Sequence, residues 1–121
     1  MPIMPARDPM AVSKAAACLF NGFSDPTRMA IIGLLLTDEQ RVVDLTQRLG
    51  LAQSTVSGHL TCLRDCDLIS TRSMGRATFY RLAHPELTHR LLTAAEELLA
   101  ATGDAVPLCA TYGLPLRKDL A

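Results

Sequence analysis

One stretch of this sequence constrains the fold more than any other. From Val42 to Leu60, the residues Leu45, Leu49, Leu51, Val56 and Leu60 recur on either side of Gly50. Side chains three or four positions apart share a helix face, so the spacing predicts two short helices held together by these apolar groups. Gly50 supplies the left-handed backbone that a tight turn requires. Two short helices with a glycine turn form a helix-turn-helix. The second helix presents Gln53, Ser54, Thr55, Ser57, Gly58 and His59 near its start. These are small or hydrogen-bonding groups that fit a DNA major groove, and they are the candidate base-reading residues.

Other elements frame this unit. Residues 1–9 contain three prolines and read as a disordered arm. Val12, Ala16 and Leu19 predict a helix over Met10–Asn21, which Gly22 can stop. Asp25 and Pro26 suit the cap and first position of a second helix, apolar nearly all round through Leu36 and therefore buried. The third helix is Val42–Leu49 and the fourth runs from about Ala52 to Cys66. Leu68–Ser73 and Arg76–Leu82 read as strands around a Met74–Gly75 turn. A last helix runs from His84–Pro85 to about Ala101, and residues 104–121 form a tail. The expected fold is mainly α with a small β-hairpin (α+β): a winged helix-turn-helix over residues 10–103.

A formal net charge of zero argues against nucleic-acid binding, but its distribution argues for it. Residues 41–81 carry six basic and three acidic groups, whereas both flanks are net acidic. Arg72 and Arg76 bracket the predicted turn, and no acidic residue lies between Leu68 and Leu82. The two arginines suit phosphate or minor-groove contact. The longest apolar run is Ala30–Leu36, far short of a membrane span, and no signal peptide is visible. The expected location is the cytoplasm, where thiols stay reduced. No nucleophile–base pair or phosphate loop points to an enzyme.

Cys62 and Cys66 stand four residues apart inside the fourth helix. That spacing sets Cβ atoms about 5–6 Å apart, wider than the ~3.5–4.5 Å of a relaxed disulfide. It suits two thiolates meeting on one ion through bonds of about 2.3 Å. Cys109 lies in the tail, six residues past Gly103, within reach of a recognition helix. Thiolates select soft ions: Cd(II), Pb(II), Zn(II) and Hg(II) all qualify. Cys18, among alanines in the first helix, reads as a core or dimer packing residue, and His59 as a DNA-contact or packing residue. The competing expectation is a thiol redox switch in which Cys62 or Cys66 pairs with Cys109.

Several motifs together resemble the ArsR/SmtB family of winged-helix repressors. They are Asp25-Pro26-Thr27-Arg28, then Ser54-Thr55-Val56-Ser57-Gly58-His59-Leu60, Leu63-Arg64 and Asp67-Leu68-Ile69, and a wing ending Phe79-Tyr80-Arg81-Leu82. The resemblance covers about residues 12–101. It implies a homodimer packed through its first and last helices, bound to operator double-stranded DNA and released by an effector. A cysteine motif that many members carry before the turn is absent, since Arg41 and Val43 stand at its cysteine positions. The last helix offers His89, Glu96 and Glu97 without the spacing of the zinc and nickel sites found there in other members. The cysteine pair and tail cysteine resemble the cadmium/lead-sensing CmtR branch. That branch implies Cys62 and Cys66 from one protomer and Cys109 from the other as the metal ligands.

Overall fold

Asp25 starts the helix around which the domain is built. In the computed structural model, which describes residues 8–108, its carboxylate accepts the N–H groups of Thr27 and Arg28 at 2.8 and 3.1 Å. Pro26 follows at the first helical position, where a missing N–H costs nothing. The helix preceding this cap is α1 (Pro9–Asn21), and the one it opens is α2 (Pro26–Thr37). Ile31, Ile32, Leu34 and Leu35 of α2 are buried, as the apolar run predicts.

α3 (Val42–Leu49) and α4 (Gln53–Asp65) pack on this helix. Leu45, Val56 and Leu60 are fully buried, as is Leu63, and Leu49 and Leu51 pack half-buried against them, so the residues that predicted the helix-turn-helix do hold it together. Gly50 has φ 67°, the left-handed conformation expected of it. The Asp44 carboxylate reaches back to the Arg41 N–H at 3.0 Å, closing the start of α3. α4 starts at Gln53 after Ala52, with no side-chain cap.

The wing is an antiparallel pair, β1 (Ile69–Met74) and β2 (Ala77–Leu82), in register from Ile69–Leu82 to Met74–Ala77. The turn is therefore Gly75–Arg76, one residue later than expected. Gly75 has φ 63°. A positive φ at the first central position is what a type II′ hairpin turn needs, and only glycine supplies it without strain. Gln40 adds a two-bond pairing with Tyr80, N–H to carbonyl in both directions at 3.0 and 2.8 Å. α5 (Pro85–Ala101) completes the order and buries Leu92.

α1 begins one residue earlier than expected, on Pro9, because Asp8 caps it by accepting the Met10 N–H at 3.0 Å. Gly22 at its end keeps a right-handed backbone, φ −60°. Its small size has a different reason: a Cβ there would stand 2.5 Å from Leu68 Cδ1. No residue of α1 is buried, and Met10, Val12 and Phe20 are exposed, as are Leu87 and Leu98 of α5.

Candidate DNA interface and thiol site

The first turns of α4 leave Gln53, Ser54, Thr55 and Gly58 exposed and Ser57 half-exposed. Opposite faces of the helix explain this: Val56, Leu60 and Leu63 point inward, so the intervening positions point out. His59 is placed differently. Its ring is largely covered, with Nδ1 3.3 Å from the Arg28 guanidinium and Nε2 3.8 Å from Asp25. Of its two expected roles, DNA contact and packing, the geometry matches packing. The Asp25 carboxyl is held below its ordinary range, chiefly by the Arg28 backbone N–H.

The two wing arginines also part company. Arg76 sits exposed in the turn itself. Arg72 is engaged: its guanidinium donates to both carboxylate oxygens of Glu39, at 2.7 and 2.6 Å. It also lies over the Phe79 ring, 5.3 Å from the centroid. A bidentate fork of this kind is a strong charge-assisted pair. It holds the Glu39 carboxyl below its ordinary range. Arg72 thus ties the wing to the segment before α3 instead of presenting a free charge.

The cysteines come together along one seam. α1 and α4 face each other so that Cys18 meets Cys66 and Asn21 meets Cys62. The Cys18 and Cys66 sulfurs are 3.3 Å apart, and the Cys66 thiol also lies 3.1 Å from the Cys18 carbonyl. One turn along, the Asn21 amide donates to the Cys62 sulfur at 3.7 Å. Burial, then the Cys18 contact, push the Cys66 thiol up to about 11. Cys18 is exposed, so it takes no part in the core of the single chain. Cys109 lies outside the described residues. Among the described residues, no three His, Cys, Asp or Glu side chains are gathered tightly enough to hold an ion as they stand. The donor chemistry nevertheless fits a soft ion, since Cys62 and Cys66 are unoxidised thiols on one helix face.

Sequence reasoning missed Arg28 as the hub of this region. Its guanidinium donates to the carbonyls of Gly22 and Asn21, at 3.3 and 2.9 Å, as well as meeting His59. The signal was its place, one turn into α2 beside the end of α1. Asn21 and Glu39 carried no signal, because their partners lie 41 and 33 residues away.

A helix-turn-helix followed by a β-hairpin defines a winged-helix DNA-binding protein, and sequence relatives narrow this further. Residues 25–71 match the bacterial regulatory protein family arsR. The HTH-type transcriptional regulator CmtR of Mycobacterium tuberculosis is 38% identical over 90 residues, 74% of this chain and 76% of that protein. The solved structure of that cadmium metal-sensor has a TM-score of 0.55 and 40% identity, covering 62% of this chain and 78% of the other. A probable mercury resistance operon repressor of Streptomyces lividans is 30% identical over 106 residues, 88% of this chain and 83% of that protein. A homodimeric winged helix-turn-helix domain from Mycobacterium bovis shares the fold, with a TM-score of 0.70 and 24% identity over 83% of this chain and 91% of that one. The chain belongs to the arsR family. It is a DNA-binding transcriptional regulator and not an enzyme.

Proposed function

We propose that this regulator is a metal-responsive repressor that leaves its operator when a soft heavy-metal ion, Cd(II) or Pb(II), binds cysteine thiolates. The observation that carries the reading is the position of Cys62 and Cys66. Both stand at the end of the DNA-reading helix, on its α1-facing side. Relatives described as a cadmium sensor and a mercury resistance repressor support a soft ion. Cys109 is the proposed third ligand, from the tail of the second protomer.

The homodimer is proposed from exposed apolar groups. Met10, Val12 and Phe20 on α1 and Leu87 and Leu98 on α5 stand in water in the single chain. Five large apolar side chains exposed on the first and last helices suit an interface. Two copies packed through these helices carry two α4 helices to successive major grooves. Gln53, Ser54, Thr55, Ser57 and Gly58 read bases, and Arg76 meets the backbone. When bound, the ion supplies a crosslink between thiolates. The chain's part is to transmit that constraint: α4 is a single rigid helix, so fixing its end fixes the angle at which its start meets DNA. Linkage requires that DNA weaken metal binding by the same factor, commonly about 1–3 kcal/mol. Among the described residues no helix is long and apolar enough to cross a membrane. The proposed location is the cytoplasm, with the operator.

The test is anaerobic titration of the operator complex with Cd(II) or Pb(II), followed by fluorescence anisotropy. The native protein is released; Cys62→Ser stays bound. Equal release of both proteins overturns the assignment. The second reading is a thiol redox regulator of the same fold. It draws on the 3.3 Å between the Cys18 and Cys66 sulfurs. Under it, a hydroperoxide takes two electrons from a thiol pair, giving a disulfide, water and an alcohol, and releases DNA without metal.

A further inference from the structure

We propose that Cys18 is itself a metal ligand, so that α1 joins α4 in holding the ion within one protomer. This rests on the metal-responsive reading and extends it to a helix that reading did not use. The Cys18 and Cys66 sulfurs stand 3.3 Å apart. Thiolates sharing a tetrahedral ion through bonds of about 2.3 Å lie ~3.8 Å from one another. A spread of about half an ångström therefore admits an ion between them.

The surrounding contacts favour the same geometry. The Asn21–Cys62 hydrogen bond, one turn along, keeps the seam between α1 and α4 in register. Cys62 reaches the pair by exchanging that weak bond for the ion. Cys18 is not a buried filler: it is exposed, and α1 buries no residue at all. The Cys66 thiol, 3.1 Å from the Cys18 carbonyl, gives up its proton when the thiolate forms.

This arrangement has a mechanical meaning. α1 carries the exposed apolar residues Met10, Val12 and Phe20, which await a second copy of the chain. An ion held by Cys18, Cys62 and Cys66 couples that dimer-forming helix to the end of the DNA-reading helix directly. The signal need not pass through the tail.

The experiment uses the full chain, reduced and handled without oxygen, with Cd(II) alone as probe. X-ray absorption counts sulfur neighbours, and chelator competition gives affinity, for the native protein and for Cys18→Ser, Cys62→Ser and Cys109→Ser. Cys18→Ala repeats the measurement with a side chain that forms no hydrogen bond. In both Cys18 variants the sulfur count falls by one. Affinity falls more than about 10-fold, the least that even an outer-shell partner is worth. Metal-free DNA binding is retained. Unchanged count and affinity in both, with loss in Cys62→Ser, overturns the role of Cys18 and leaves the metal-responsive reading standing. Native behaviour in Cys62→Ser as well overturns both.

Discussion

The guanidinium of Arg28 stands 3.3 Å from Nδ1 of His59 while its other nitrogens hold the carbonyls of Asn21 and Gly22. One side chain thereby joins the end of α1, the start of α2 and the middle of α4. Arg28→Ala removes the charged donor from both carbonyls; that of Asn21 keeps the Ser24 N–H and hydroxyl. Hydrogen bonds to charged groups contribute about 1.5–3 kcal/mol, so urea unfolding should show a loss of roughly 2–3 kcal/mol. Arg28→Lys should recover only part, because an ammonium lacks the planar fork. An unchanged denaturation midpoint in Arg28→Ala would refute this role.

The Glu39–Arg72 pair gives stability a definite acid limb. Arg72 lowers the Glu39 carboxyl from its ordinary 4.5. A lowered carboxyl stabilises the folded chain above its unfolded value, and the contribution fades as pH falls through the folded one. The native protein should therefore be more stable than Glu39→Gln at pH 7, and the gap should close on acidification below about pH 4. Thermal melts across that range check it. A gap that widens toward acid contradicts the pairing.

Cys66 should be slow to react. Its thiol is pushed up to about 11 from 9.0, mainly by burial and then by Cys18. The thiolate is the nucleophile, so the alkylation profile of Cys66 in the metal-free protein should be displaced to higher pH than that of a free cysteine. A raised thiol favours the folded state below its unfolded value, and that contribution is lost between pH 9 and about 11. Site-resolved mass spectrometry with iodoacetamide reads the profile. Ready modification of Cys66 at pH 7 would contradict the environment described.

DNA binding should separate into two kinds of loss. Thr55→Ala and Gln53→Ala should weaken operator binding by about 1–3 kcal/mol while leaving random-sequence binding nearly intact. Arg76→Ala should weaken both and reduce the salt dependence by about one ion. Arg72→Ala should act through the wing's position, with a loss of stability alongside any loss of affinity. Salt titrations on operator and random duplexes distinguish these. Equal effects of Thr55→Ala on both duplexes would remove it from base reading.

Much of the fold was legible because its signals are local. The apolar spacing about Gly50 and the Asp25–Pro26 start each act within a few residues, and each formed as expected. The hairpin turn slipped by one because positive φ, not average turn preference, decides the position, and only Gly75 meets that requirement. The thiol seam was only half legible. Helical spacing placed Cys62 and Cys66 on one face, but Cys18 lies 48 residues from Cys66. Nothing in the α1 sequence announces that its polar turn faces α4. The pairing of Arg72 with Glu39 was illegible for a similar reason: a cation near a turn reads as free until the carboxylate that claims it is located in space. Gly22 does stop α1, as its place predicts, but the crowding of Leu68 that demands its size is not visible along the chain.

Gln40 and Tyr80 exchange both backbone hydrogen bonds, and Gln40 is buried. The segment leading into α3 is therefore bridged to the wing at this one residue, with Arg72 and Glu39 riveting the same junction. A wing fastened in this way has no independent swing. Whatever tilts α3 and α4 carries the hairpin with them, so in the proposed dimer each protomer would meet the double helix as a single jaw. Adjustment to an operator would then fall to the joint between the two jaws and not to any finger within one of them.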